Sequence, residues 1–269
     1  MIRAVENPGE IRPMLAHDGL MDGLIGGRID GHLSREIFLW TIWAGGKPAG
    51  VICHNRGETV LAVNPGREDQ VDYEELNWFL GLSRRGGGPE SWEILTRPRA
   101  ASEIRRGLLL SVAGFREETG VVMVLEQLKE GEPQYAINRN PGLKEVYELL
   151  IEEWPWIKGQ SFEQWRDSLW WKLRRGRGFI YAAEGDGRCI GVGGVLNMGQ
   201  SHAVISMVVT HPQFRKQGVA GEIVGALCRE CRRRRLNPVL MSAGKETDLF
   251  YGKLGFVSQG EWTRLYNKQ

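Results

Sequence analysis

Six consecutive residues, Arg215-Lys216-Gln217-Gly218-Val219-Ala220, stand between the end of an apolar run and the start of a helical pattern. Successive backbone N–H groups and the positive end of a helix dipole converge at such a place, which binds an anion. Gly218 lets the main chain approach a phosphate with no Cβ in the way, Ala220 keeps a second approach open, and Arg215 and Lys216 add positive charge. A pyrophosphate suits that description. Further on, Tyr251 offers a phenol that stays neutral at pH 7 and can give up a proton. Period-two alternation puts His202, Val204 and Ser206 on one strand face. An unassisted hydroxyl is a poor base, so Ser206 leaves that role to His202, to a water chain or to an amine that arrives neutral. His211, ahead of Pro212, reads as a turn residue.

Two other groups invite less. Cys228 and Cys231 have the spacing of half a metal site, but no second cysteine pair completes it and both fall on an apolar helix face. No metal is expected. Arg232-Arg233-Arg234-Arg235 could hold a phosphate or RNA, yet it falls at a helix C-terminus, where cations complement the dipole and solvate the surface.

The elements that must position these residues follow from periodicity. Apolar runs over 179–183 and 189–196 flank a Gly-rich hairpin signal, and a third run covers 203–209. Ala220, Ile223, Val224, Leu227, Cys228 and Cys231 recur at helical spacing over 219–235. A short strand over 238–241, a helix over 247–254 stopped by Gly255, and two strands over 256–266 broken at Gly260 complete the series. The first half repeats the order: strands at 38–43, 49–53 and 59–63, a helix at 71–82, a strand at 92–95, a helix at 104–112 and a strand at 121–125. Phe38 to Phe115 and Phe179 to Phe256 span the same 77 positions, so one shift of 141 superposes them. That is the mark of a tandem duplication. Residues 131–142, with Pro133, Pro141 and Gly142, read as the linker between a domain over 1–130 and one over 143–269, which opens with a helix at 143–153. Ser161 and Gln164 form a capping box opening a helix whose Phe162, Trp165, Leu169 and Leu173 share a face. Trp154, Trp156, Trp170 and Trp171 do not all fit that face, and some can line a cleft.

Composition bounds the reading. The chain has 269 residues, 42% hydrophobic and 25% charged, with a net charge of +2. That length allows two domains of roughly 100–150 residues, and the charge balance is not that of a chain living on nucleic-acid phosphates. No window approaches the roughly 18 apolar residues of a membrane span. The N-terminus shows no basic stretch followed by an apolar segment, and four scattered cysteines make no disulfide framework, so a cytoplasmic address is expected.

The segment from Arg215 to Ala220 resembles the signature of the GNAT superfamily of N-acetyltransferases: Arg or Gln, two residues, Gly, one residue, Gly or Ala. Arg188 to Gly193 fits the same pattern, but it lies inside a predicted strand, where N–H groups alternate sides and pair with neighbours. Val208 to Arg215 and Phe250 to Phe256 extend the likeness, which covers about residues 143–269; the first half matches in element order alone. The resemblance implies an α/β fold of two tandem GNAT-like domains, each a mixed twisted sheet flanked by helices, and an acetyl-CoA co-substrate. It implies that Met207, Val208 and Val209 pair with the pantetheine arm and that Arg215, Lys216, Gln217, Gly218, Val219 and Ala220 hold the pyrophosphate. Phe250 and Lys253 join the cofactor site, and Tyr251 protonates the leaving thiolate after direct attack by an amine. The family's strand carboxylate is absent, Ser206 standing in its place, and so is the asparagine many members carry before the late helix, where Ala243, Gly244 and Lys245 stand. Residues 64–72 match the phosphate loop in the first half, but Glu68, Asp69 and Asp72 would repel a pyrophosphate, so that half is expected to be a degenerate copy that helps wall the acceptor cleft. The expected acceptor is a small-molecule or peptide amine, and the expected assembly a monomer or homodimer. The rival readings are a silent acyl-CoA sensor and an RNA-binding module.

Overall fold

In this computed structural model the described residues are 1–29, 37–55, 57–81, 92–109, 115–129, 131–154, 157, 159–185 and 187–267. They divide into two compact units, one of Met1–Val122 with Met241–Gly244 and Gln259–Gln269, the other of Met123–Leu240 with Lys245–Ser258. Trp156, and Gly114 beside Phe115, lie outside the described residues.

The first unit starts with an edge strand β1 (Ile2–Ala4), a single helical turn α1 (Arg12–Leu15) and α2 (Gly19–Ile29). Helix α2 has four glycines and so a poor intrinsic propensity. Asp18 accepts from the amides of Leu20 and Met21, and Leu20, Met21, Leu24, Ile25 and Ile29 are all buried, so capping and burial override propensity. Strands β2 (Ile37–Ala44), β3 (Lys47–Asn55) and β4 (Glu58–Val63) form an antiparallel meander. Then come α3 (Tyr73–Phe79), β5 (Glu93–Thr96), parallel to β4, α4 (Pro98–Leu109) and β6 (Arg116–Leu125). Ile52, Leu61, Leu76, Ile94, Ile104 and Leu265 centre this unit's core.

The second unit repeats the plan. Strand β7 (Ala136–Asn138) pairs with β8 (Phe179–Gly185), β8 with β9 (Arg188–Met198) and β9 with β10 (His202–Thr210), all antiparallel. Strand β11 (Asn237–Ser242) then runs parallel to β10. Helices α5 (Leu143–Glu153) and α6 (Phe162–Arg174) close a core of Val146, Leu150, Trp165, Leu169, Val192 and Val209. The capping box at Ser161 and Gln164 forms with both of its hydrogen bonds. Trp165 is buried, whereas Trp170 is about half exposed and carries Arg174 over its ring. Helix α7 (Val219–Arg233) precedes β11, and α8 (Lys245–Lys253) precedes β12 (Phe256–Tyr266).

Three details differ from the expectation. The segment 131–142 belongs to the second unit and supplies β7, whose three residues are too few to register as an apolar period. Strand β12 is continuous where two strands were expected. Gly260 is a positive-φ residue within it, and the passage from the second unit to the first falls beside it, at Ser258 and Gln259. Helix α3 is shorter than the expected 71–82.

Helix α7 lies close on β9 because β9 has no side chains there. A Cβ at Gly191 would stand 2.6 Å from Val219 Cγ1, and one at Gly193 would stand 2.7 Å from Ile223 Cγ2 and 3.0 Å from Leu227 Cδ1. The repeated signature at Arg188 to Gly193 is therefore a seat for the helix: its glycines are the price of close packing. The arginine run closes the other end of α7. Arg233 and Arg234 both clamp the buried Glu230, Arg234 also donates to Gly176 O and lies over Phe179, and Arg232 donates to Glu126 O.

Gly193→Ala should cost about 1–3 kcal/mol, since Ile223 and Leu227 are fully buried and have nowhere to retreat; a denaturant midpoint unchanged from wild type would show the seat to be soft. Hydrogen bonds from Arg233 lead the effects that hold the Glu230 carboxyl at about 2. A depressed carboxyl contributes stability that is present above its unfolded value and is lost as pH falls through its folded one. Glu230→Gln should therefore cost about 1–2 kcal/mol at pH 7, and the gap to wild type should close between about pH 4.5 and 2 in urea melts.

Candidate active site

Strand β10 is irregular where the chemistry is expected. Its register on β9 runs from Ser206 opposite Gly194 to Val209 opposite Val192, which leaves one extra residue on β10. Met207 sits in that bulge at φ 58°, a left-handed conformation uncommon for a residue with a side chain. A bulged residue drops out of the ladder and its backbone groups turn aside. On its other flank β10 pairs with β11 only through His202–Asn237, Ala203–Pro238 and Val204–Val239. Beyond Val204 the ladder between the two parallel strands ends, short of Met207, Val208 and Val209. An extended ligand bearing amides can pair with a strand in that state.

The strand leads through a short 3-10 turn, Pro212–Phe214, capped by His211 Nδ1 accepting from Gln213 N at 3.3 Å. Lys216 (φ 61°) and Gly218 (φ 91°) are left-handed, and Gly218 is the N-cap of α7 with no side-chain capping bond. The first-turn amides of Val219, Ala220 and Gly221 have no intrahelical acceptor, so they point out of the helix toward the loop. A turn of this kind at a helix N-terminus is a cradle for an anion. Space is available as well: beyond Gly218 a Cβ would meet nothing within 4 Å. Lys216, Gln217, Gly218 and Gly221 line a cleft of about 760 Å³ with Glu222 and Arg229.

The side chain of Arg215 is not part of this cradle. Its Nε donates to Thr210 O at 3.2 Å and its Nη2 pairs with Glu153 at the end of α5. The side chain expected on a phosphate braces the turn in this structure. Gln217 donates to Gln213 O at 2.8 Å and braces it too. His202 stands apart from the bulge. It opens β10 beside Ser201, whose Oγ is 2.9 Å from His202 Nδ1, and five residues of strand, about 16 Å, separate it from the bulge. Ser206 is the residue next to the bulge, half-buried and opposite Gly194.

Tyr251 lies on α8, its ring edge-on to Phe250 at 4.9 Å and to the buried Phe256 at 5.8 Å. Burial first, and the thiol of Cys228 second, push its phenol up to about 12. It stays protonated throughout the physiological range. Lys253 is exposed on the same helix. Cys228 and Cys231 are fully buried, and burial raises both thiols, Cys231 to about 12. Among the described residues no group of three or more His, Cys, Asp or Glu could hold a metal ion, and no helix is long and apolar enough to cross a membrane.

Three residues beside the loop were missed in the sequence. Glu153 is the anchor of Arg215, Glu222 receives two backbone amides, and Thr210 Oγ1 is buried without a hydrogen-bond partner among the described residues. Only the fold brings these residues together.

Among the described residues the first unit lacks the bulge and the open helix N-terminus. Strand β4 pairs with β3 in unbroken register from Gly50–Val63 to Asn55–Glu58. Helix α3 has seven residues, and Asp72 caps it by accepting from the amides of Glu74 at 3.1 Å and Glu75 at 2.9 Å. A carboxylate of the chain already occupies the place of an anion.

Residues 143–256 match the model of the acetyltransferase (GNAT) family. No curated protein matches the chain by sequence. Among solved structures, a Drosophila protein is similar over 99% of this chain and 98% of its own, with a TM-score of 0.70 at 11% identity. A GCN5-related N-acetyltransferase from Sphaerobacter thermophilus is similar over 99% and 95%, at 0.60 and 16%. A tandem GNAT protein from the clavulanic acid biosynthesis pathway is similar over 99% and 98%, at 0.60 and 12%. Identities this low speak for the fold alone. Residues 143–256 thus match the acetyltransferase (GNAT) family model, and the chain has a fold similar to that of a tandem GNAT protein over nearly its whole length.

Proposed function

We propose that the second unit moves an acyl group, acetyl being the expected one, from CoA to a primary amine by direct attack. The observation that carries this reading is the succession of a bulged strand whose ladder to its parallel neighbour ends short of the bulge and a helix left uncapped at its N-terminus. The amides of Gln217 to Ala220 take the pyrophosphate, with Lys216 as the added cation. The main chain of Met207 to Val209 pairs with the pantetheine amides, which sets the thioester near the bulge. Phe250 and Lys253 flank the arm. The amine attacks the thioester carbonyl, the carbon–sulfur bond breaks, and Tyr251 gives a hydrogen bond and then its proton to the departing thiolate. With His202 remote, the amine enters neutral, the proton its nitrogen loses as the amide forms leaves through water beside Ser206, and the Tyr251 oxygen regains a proton from solvent. The first unit, with its self-capped helix, binds no second CoA.

Tyr251→Phe should lower kcat by about 10²-fold with CoA affinity nearly unchanged, as measured by free-thiol release that needs an added amine. Equal turnover would remove Tyr251 from its role. Because the phenol keeps its proton to about 12, the wild-type rate should rise with pH as the amine deprotonates and show no alkaline fall up to pH 10.

Gly218→Ala introduces no contact within 4 Å, so its only cost is the left-handed backbone, about 1 kcal/mol. Because that strain falls on the cradle, CoA should bind about fivefold more weakly in calorimetry, with the fold retained. Unchanged affinity would place the pyrophosphate elsewhere.

A further inference from the structure

Glu222 stands in the first turns of α7, four residues after Gly218. Its Oε1 accepts from Gln134 N at 2.6 Å and its Oε2 from Tyr135 N at 2.9 Å. Residues 131–135 therefore lie against α7 as a strap. On one side the strap leads into β7, held by its ladder to β8. On the other, Lys129 N donates to Leu254 O at 3.0 Å and Glu126 N to Gly255 O at 3.1 Å. Glu132, Pro133, Gln134 and Tyr135 make one wall of the same 760 Å³ cleft whose other wall is the phosphate loop.

A carboxylate so near an uncapped helix N-terminus is itself an anion that the dipole attracts, and it opposes a bound diphosphate by like charge. Here both oxygens are taken by strap amides, which hold the charge toward the strap. Lys129, Arg139, Lys216 and Arg229 line the same cleft and leave it net positive against Glu132 and Glu222. We propose that Glu222 is a positioning residue for the cofactor: it latches the strap 131–135, and the latched strap keeps the Glu222 charge off the phosphate loop. This rests on the reading of that loop as the pyrophosphate site. Strap docking and diphosphate binding then favour each other, and the coupling is reciprocal. A lifted strap frees a competing carboxylate at the helix end, and a bound diphosphate makes that release costlier.

The test separates charge from latch. Glu222→Asp keeps the charge but is one methylene too short to span both amides, so CoA should bind about five- to tenfold more weakly. Glu222→Gln removes the charge, so CoA should bind within about threefold of wild type although the strap is loosened. A simple structural role predicts no such order between the two. In the unaltered protein, hydrogen exchange at the amides of Gln134 and Tyr135 should slow at least tenfold on saturation with CoA, together with the amides of residues 217–220. Protection of 217–220 with no change at Gln134 and Tyr135, or an Asp variant that binds as tightly as wild type, overturns the latch and leaves the loop reading intact. Absence of protection at 217–220 overturns the loop reading, and the latch falls with it.

Discussion

The open N-terminus of α7 is the constraint on which the site depends. Most helices close their first turn with a side chain, and replacing such a cap costs about 1 kcal/mol. Gly218 supplies none, and the amides it leaves open are the ones the proposed ligand needs. Stability is recovered elsewhere along the same helix. Gly191 and Gly193 let α7 settle directly on β9, so Val219, Ile223, Val224 and Leu227 are buried almost completely. At the far end Glu230 collects two arginines. A helix fastened along its length and at its C-terminus can leave its first turn unsatisfied.

The two units show how little separates a working cradle from a structural one. Their strands follow one plan, each with a three-residue parallel register beside an antiparallel meander. In one, the strand ahead of the helix carries a bulge and the helix starts on a left-handed glycine. In the other the ladder is regular and Asp72 places a carboxylate oxygen on the amides of Glu74 and Glu75. The electrostatic preference of a helix N-terminus for negative charge is the same in both. It is satisfied internally in one unit and left open in the other.

Much of this was legible in the sequence, because the features concerned are local. Strand alternation, the helical spacing of Val219 to Cys231, the capping box at Ser161 and the acidic stretch before α3 each declare themselves within a few residues, and the structure places them as expected. What the sequence does not show has one physical source: distance along the chain. Arg215 reads as a phosphate ligand, and only the fold brings Glu153, 62 residues away, to its guanidinium. His202 shares a face with Ser206, yet periodicity does not say that the bulge lies toward the other end of that strand. Residues 131–142 look like a linker because Pro and Gly dominate them, and only the partner β8 turns three of them into a strand. Helix α2 was invisible for the same reason, its glycines being outvoted by burial.

The position of Arg215 bears on how the proposed donor is held. If the signature arginine gripped the pyrophosphate, binding would rest on a flexible cation, with the entropy of its side chain to be lost at each encounter. Braced instead between Thr210 O and Glu153, the guanidinium fixes the turn before any ligand arrives. The main-chain amides are then pre-organised, and a diphosphate meets donors whose ordering cost was met during folding. On the proposed reading, phosphate recognition would rest on backbone geometry, which the left-handed residues Lys216 and Gly218 create.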